Sequence, residues 1–116
     1  MVSFSDLGIG PDIIQALERQ GILEPFEVQR ETIPDSLLGR DVCCRAPTGS
    51  GKTLAFGLPL IQSIDSGTKG IQGLILCPTR ELCLQISKEM AAYSKFSDGV
   101  KVVAVYGGAA ISDQIR

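Results

Sequence analysis

The 116-residue sequence contains no histidine and no tryptophan, and none of its four cysteines forms a Cys-x-x-Cys pair. Because zinc sites in proteins are built from cysteine and histidine at short regular spacings, these absences argue against a zinc site. Cys43 and Cys44 are adjacent, whereas Cys77 and Cys83 stand alone. We expect all four cysteines to be buried, reduced thiols that pack as small hydrophobic side chains. The alternative is one disulfide that involves Cys77 or Cys83.

The sequence also lacks long apolar runs and an excess of one charge, and its first residues have neither the basic nor the apolar region that we would expect of a signal peptide. Its longest apolar runs have four to six residues, far fewer than the roughly 18 that indicate a membrane helix. Eleven Lys and Arg against 13 Asp and Glu give a net charge of −2. That balance excludes a polybasic binder of nucleic acid or membranes but leaves room for a local basic site. We expect an intracellular protein, cytoplasmic, or nuclear if it is eukaryotic.

The sequence does contain the composition and patterning of one globular domain. Hydrophobic residues make up 44% and charged residues 21% of the chain, which is ordinary for a folded protein. Apolar periodicity, proline and glycine predict helices at 11–20, 25–32, 35–38, 52–64 and 81–95, strands at 42–46, 73–77 and 101–106, and an exposed connection at 65–73. Pro34 separates the second and third helices, because its ring clashes with the preceding turn. Strands that alternate with helices predict an α/β fold with a parallel sheet.

The most informative segment is a glycine-rich loop between the first strand and the helix that follows it. It reads Ala46, Pro47, Thr48, Gly49, Ser50, Gly51, Lys52 and Thr53. A loop that leaves a strand and opens a helix directs several backbone N–H groups and the positive end of the helix dipole at one point. The two glycines let the backbone wrap closely around phosphate oxygens. Lys52 then reaches the β- and γ-phosphates of a nucleotide, and the hydroxyl of Thr53 binds magnesium.

The first residue of this loop narrows the class of phosphate-binding protein. A glycine-rich turn that only caps a helix is the alternative, but Gly-x-Gly-Lys-Thr between a strand and a helix favours phosphate binding. The general P-loop pattern begins with glycine, whereas this loop begins with Ala46. The variant Ala-x-Thr-Gly-Ser-Gly-Lys-Thr resembles the loop of superfamily 2 helicases, and it argues against small-molecule kinases and GTPases.

A glutamine upstream of the loop is placed to read the base of a nucleotide. Gln29 ends the segment Gly-Ile-Leu-Glu-Pro-Phe-Glu-Val-Gln at residues 21–29. Its amide offers a donor and an acceptor that match the N6 and N7 edge of adenine but not the edge of guanine. Taken alone, Gln29 is more simply an amide on a helix surface. Together with Phe4 it resembles the Q motif of DEAD-box RNA helicases, and the resemblance extends from Phe4 to Gly108.

Two residues depart from the Q motif of that family. The family usually has an aromatic residue where this chain has Ile22, and usually a threonine where it has Phe26. An aliphatic side chain at position 22 packs against a base but offers no aromatic face. Because a stacked base contributes about 1–3 kcal/mol, we expect weaker nucleotide affinity than is usual in the family.

Two further segments resemble the RNA contacts of the family. The first follows the second strand and reads Pro78, Thr79, Arg80, Glu81 and Leu82. It is similar to motif Ia, which holds the backbone of single-stranded RNA; a plain helix start, with Thr79 as N-cap and Glu81 near the positive end of the dipole, is the alternative. Gly107 and Gly108 resemble a glycine pair that the RNA backbone passes closely, although two glycines after a strand also form a simple turn.

The resemblance implies that residues 1–116 are the N-terminal portion of a larger helicase. A DEAD-box core has two RecA-like domains, and this chain matches the front of the first, with the Q motif at 4–29, the P-loop at 46–53 and motif Ia at 78–82. The Asp-Glu-Ala-Asp strand, the Ser-Ala-Thr loop and the second domain have no counterpart in the sequence. We expect an incomplete RecA-like P-loop fold that binds ATP, Mg²⁺ and single-stranded RNA without hydrolysing ATP alone.

Three other functions remain open at this point. A RecQ-like DNA helicase also carries a glutamine upstream of its P-loop, although residues 78–82 favour the DEAD-box family. A nucleotide-binding module without catalysis is compatible with the length of the chain. A P-loop phosphotransferase is disfavoured by Ala46 and by the lack of an arginine cluster for a second phosphate.

Overall fold

The structure, a computed structural model, describes residues 2–47, 49 and 51–107. Within these residues the regular secondary structure consists of the helices α1 (Pro11–Arg19), α2 (Glu27–Leu37), α3 (Lys52–Ser63) and α4 (Arg80–Tyr93). The predicted bounds of α1, α3 and α4 are confirmed to within two residues at each end. No helix in this part of the chain is long and apolar enough to cross a membrane.

Helix α2 contradicts the prediction of two short helices separated at Pro34. A single helix runs from Glu27 to Leu37 with Pro34 inside it. A proline in a helix removes one backbone donor and strains one turn, but the side chain of the preceding residue, Ile33, is fully buried. Helix α2 also makes the most extensive helix–helix contact in the molecule, against α3. This packing outweighs the local cost of the proline.

The core lies where the four helices and the N-terminal turn meet. Ile33 of α2 and Leu58 of α3 are both 0% exposed, and α1 and α4 add their apolar faces to the same cluster. Gly57 of α3 lets α4 approach closely, because a Cβ at this position would lie 2.6 Å from the sulfur of Met90. The core therefore fixes α3, which carries the glycine-rich loop at its N-terminus.

The three predicted strands do not form a sheet within the described residues. Residues 42–46, 73–77 and 101–105 have no regular secondary structure, and no backbone hydrogen bond joins one of them to another. Burial nevertheless alternates along the second segment, where Ile75 and Cys77 pack against the core while Leu74 and Leu76 are 75% and 85% exposed. Apolar residues with this alternation are typical of an extended backbone. A β-strand also needs a neighbouring strand close enough to form backbone hydrogen bonds.

The prediction that all four cysteines are buried is wrong. All four thiols are free, as expected, but none of them is buried. Cys43 and Cys44 are exposed, and Cys77 and Cys83 are half-buried. Three of the four lie on the extended segments, where no second layer covers the outward-facing side chains. The connection at 65–73 is exposed, as predicted.

Candidate functional site

The glycine-rich loop meets helix α3 through two glycines in the left-handed backbone conformation. Gly51 is the N-cap of α3 with φ 87° and ψ 28°, and Gly49 has φ 83°. Both values lie in the left-handed region, which residues with a Cβ rarely adopt. Lys52, the first residue of α3, is exposed, and Thr53 is half-buried. Thr48 and Ser50, predicted members of the loop, lie outside the described residues.

The backbone of Gly51 is held by the glutamine of helix α2. The side-chain Nε2 of Gln29 donates to the carbonyl oxygen of Gly51 at 3.0 Å. A Cβ at Gly51 would collide with the Gln29 amide and lie 2.9 Å from Cδ2 of Phe26. Position 51 thus requires glycine for two reasons, its backbone conformation and the close approach of α2. Neither reason is visible in the sequence spacing alone.

Gln29 is buried and serves as a brace between α2 and the loop. It is 1% exposed, and its Oε1 accepts a hydrogen bond from the backbone N–H of Phe26 at 2.8 Å. Each end of the amide therefore has one protein partner and one remaining hydrogen-bonding position. This bracing role was missed from the sequence, although Phe26-x-x-Gln29 has the spacing of a capping box, in which the third residue of a helix bonds back to the N-cap. Adenine recognition by Gln29 stays a prediction.

The aromatic residues of the Q-motif region lie in contrasting environments. Phe4 is 3% exposed and belongs to the core cluster, and Ile22 packs against that cluster. Phe26 is 55% exposed at the N-cap of α2. The predicted contact between Phe4 and a nucleotide stays a prediction, which this burial does not favour. The exposed aromatic surface beside the loop belongs instead to Phe26.

Ala46 and Pro47 lead into the loop from the first extended segment. Ala46 is half-buried and Pro47 is exposed. Thr53 lies in the first turn of α3, so its hydroxyl belongs to the same helix end as the loop. No group of three or more His, Cys, Asp or Glu side chains suited to a metal exists in the described part of the chain. A magnesium ion here would depend on Thr53, phosphate oxygens and water, as is common for this cation in nucleotide sites.

The predicted RNA-binding residues open helix α4. Thr79 is its N-cap, and the Thr79 hydroxyl oxygen accepts a hydrogen bond from the backbone N–H of Leu82 at 3.2 Å. The expected Thr79 cap is therefore confirmed, and RNA binding at this helix start stays a prediction; a capping threonine retains its hydroxyl hydrogen as a donor. Pro78, Arg80 and Glu81 are exposed. Gly107 is an exposed turn residue, and Gly108 lies outside the described residues.

Comparisons with known proteins agree on one family. A family model described as DEAD/DEAH box helicase matches residues 26–116. The ATP-dependent RNA helicase CshA of Listeria monocytogenes is 46% identical over 116 residues, which is 100% of this chain and 22% of the relative. The ATP-dependent RNA helicase DeaD of Escherichia coli is 48% identical over 114 residues, which is 98% of this chain and 18% of the relative. The chain thus spans about a fifth of the length of these curated relatives.

Solved structures give the same result for the fold. A DEAD box protein from the hyperthermophile Methanococcus jannaschii matches with a TM-score of 0.90 and 35% sequence identity. The match covers 99% of this chain and 31% of the M. jannaschii chain. The RNA helicase Prp28 from Chaetomium thermophilum, solved with ADP bound, matches with a TM-score of 0.86 and 37% identity over 99% of this chain and 29% of its own. The described helices and extended segments therefore have the arrangement found in those longer chains.

Proposed function

Because the chain belongs to the DEAD-box family of ATP-dependent RNA helicases, we propose that it supplies an ATP-binding half-site and part of an RNA-binding edge. In the whole protein these surfaces would serve an ATP-dependent RNA helicase that remodels RNA or RNA–protein complexes in the cytoplasm. The family match favours this function over a RecQ-like DNA helicase or a phosphotransferase.

The observation that carries the proposal is the loop at the start of α3. Gly49 and Gly51 are both in the left-handed region, Gly51 is fixed to α2 by the Gln29 amide at 3.0 Å, and Lys52 is exposed beside them. Backbone N–H groups at a helix N-terminus favour an anion, and a lysine ammonium adds a charge-assisted contact. The β- and γ-phosphates of ATP are the anions that fit this arrangement. The Thr53 hydroxyl would bind the Mg²⁺ that accompanies them.

The start of α4 would provide the RNA-binding edge. Pro78, Arg80 and Glu81 are exposed around the Thr79 N-cap. The backbone N–H groups of the first helical turn and the Arg80 guanidinium suit the phosphates of a single-stranded RNA backbone, which carry no base identity. Gly107 and Gly108 would let the same backbone pass closely.

The three extended segments would form part of a parallel RecA-like sheet in the whole protein. The second and third keep an outward row of apolar side chains, Leu74 with Leu76 and Val103 with Val105, which fits the interior of a sheet covered on both faces. Residues 1–116 alone would bind ATP without turnover, because the family's strand carboxylates and arginine finger are not in this sequence. Steady ATP hydrolysis by the purified chain, abolished by Lys52→Ala, would contradict this expectation.

The test of the proposal is ATP–Mg²⁺ binding measured by calorimetry. Lys52→Ala removes the exposed ammonium of the loop, and we expect the affinity to fall by about tenfold or more, the equivalent of 1.4 kcal/mol. Lys69→Ala, at an exposed position in the 65–73 connection, is the matched control and should bind as the parent does. Equal affinity of the parent and Lys52→Ala would overturn the nucleotide-binding proposal.

A further inference from the structure

An exposed phenylalanine stands where the helix start favours a small polar residue. Phe26 is the N-cap of α2, and its side chain makes no capping hydrogen bond. N-cap positions prefer Ser, Thr, Asp and Asn because their side chains accept a hydrogen bond from the first helical turn. Phe26 gives up that bond and leaves 55% of its surface exposed. The side chain therefore makes no capping hydrogen bond and is not a member of the buried core cluster.

The ring of Phe26 lies beside Gly51 of the glycine-rich loop. Cδ2 of Phe26 lies 2.9 Å from the point that a Cβ of Gly51 would occupy. The backbone N–H of Phe26 is fixed by Oε1 of Gln29 at 2.8 Å, and Nε2 of the same amide holds Gly51 at 3.0 Å. Two hydrogen bonds of one buried side chain thus join the backbone of residue 26, which carries the ring, to the backbone of the loop.

Three other aromatic side chains of the described region lie in the core or beside cations, and Phe56 is 40% exposed on α3. Phe4 and Tyr93 are buried in the core. Phe96 is half-buried and lies 5.8 Å from the charged groups of both Arg19 and Lys95. Ile22, the residue expected to lie against the base, packs against the core cluster.

We propose that the exposed ring of Phe26 is the stacking surface for the base of a nucleotide whose phosphates bind at residues 46–53. This inference rests on the proposed ATP-binding function. Aromatic rings stack on any base, because every base has a π-face, whereas an amide such as Gln29 distinguishes bases by their edges. Phe26 therefore sets the affinity for purine nucleotides in general and replaces the missing aromatic residue at position 22. Selection of adenine over guanine is left to Gln29.

Removal of the Phe26 ring should weaken the binding of ligands that carry a base and leave the binding of ligands without a base unchanged. Phe26→Leu keeps an apolar side chain at the N-cap but removes the π-face, and we expect it to weaken binding of ATP–Mg²⁺ and GTP–Mg²⁺ by the same factor, about tenfold. Inorganic tripolyphosphate, which has no base, should bind the parent and the variant equally. Phe26→Tyr keeps a ring and should bind as the parent does.

Calorimetric titration of these three ligands into the 116-residue chain and its variants tests the proposal. Phe56→Leu, at a 40% exposed phenylalanine of α3, is the matched control, and thermal melts establish that each variant folds. Unchanged or increased ATP affinity in Phe26→Leu, or an equal loss for tripolyphosphate, would overturn the stacking role. If Lys52→Ala weakens all three ligands in that case, the phosphate site stands. If Lys52→Ala changes nothing, the proposed function fails as well.

Discussion

At the scale of single residues, the candidate site depends on one buried amide. Gln29 is 1% exposed and joins the N-cap of α2 to the carbonyl of Gly51. A buried amide that loses its partners costs about 1–3 kcal/mol, so Gln29 couples the stability of α2 to the shape of the loop. Phe26 completes only half of the capping box, because phenylalanine has no side-chain acceptor for the helix N–H groups.

Phe26→Thr should therefore raise stability and lower nucleotide affinity at the same time. The new hydroxyl completes the capping box with Gln29, and an N-cap of this kind contributes about 0.5–2 kcal/mol. The same change removes the exposed ring beside Gly51. Urea unfolding measures the gain in the free energy of unfolding, and calorimetric titration with ATP measures the loss of nucleotide affinity. Phe26→Ala is the control, since it removes the ring without adding a cap; an equal free energy of unfolding for Thr and Ala would contradict the capping argument.

At the scale of elements, the sequence predicted the bounds of three helices to within two residues, whereas the three predicted strands have no regular secondary structure in the described part of the chain. The spacing of Ile13 and Leu17, with Pro11 before them and Gly21 after them, is enough to define α1, because helix formation is governed by residues close in sequence. Pro34 misled the prediction of α2, since the packing of Ile33 against α3 lies outside any local pattern.

In the candidate site, too, features that depend on neighbouring residues were predictable from the sequence, and contacts between distant segments were not. Gly49, Gly51, Lys52 and the Thr79 cap were predictable because each belongs to one loop and the helix it opens. The Gln29–Gly51 hydrogen bond joins residues 22 positions apart, and nothing in either segment specifies that they meet. Strand pairing is non-local in the same way.

Helix α4 carries a pH dependence that originates in Tyr93. Burial, and then the neighbouring charge of Glu89, raises the pKa of the Tyr93 phenol above its usual value of 10.0. The folded state therefore keeps this proton at a pH where the unfolded state has lost it. The stability linked to Tyr93 is fully present below pH 10 and is lost as the pH rises through the folded-state pKa.

Tyr93→Phe should flatten the loss of stability above pH 10. Urea unfolding of the parent and the variant at pH 9, 10 and 11 measures the effect as a difference in slope against pH. Identical slopes for the parent and Tyr93→Phe would contradict the assigned cause.

At the scale of the whole molecule, the described residues resemble one side of a layered fold. The core packs against the inner faces of the second and third extended segments, while their outer faces expose Leu74, Leu76, Val103 and Val105 at 53–85%. Exposed apolar side chains on an extended backbone that has no strand partner within the described residues favour pairing with another chain. We therefore expect the 116-residue chain to self-associate.

Leu76→Lys should reduce that association, because a lysine in the outward row places a charge at any interface between extended segments. Sedimentation velocity of the parent should show a mass that rises with concentration, and the variant should show a smaller rise. Leu38→Lys, at a 69% exposed leucine that follows α2, is the control and should behave as the parent does. A parent that stays monomeric at all concentrations would contradict the expectation.

The most direct test of the nucleotide site is a map of backbone amide shifts in NMR spectra during titration with ATP–Mg²⁺. We expect the largest changes at Gly49, Gly51 and Lys52, smaller changes at Phe26 and Gln29, and none in the 65–73 connection. In Lys52→Ala the changes should require about tenfold more nucleotide. Saturable changes that leave the start of α3 unaffected and fall elsewhere on the chain would contradict the account.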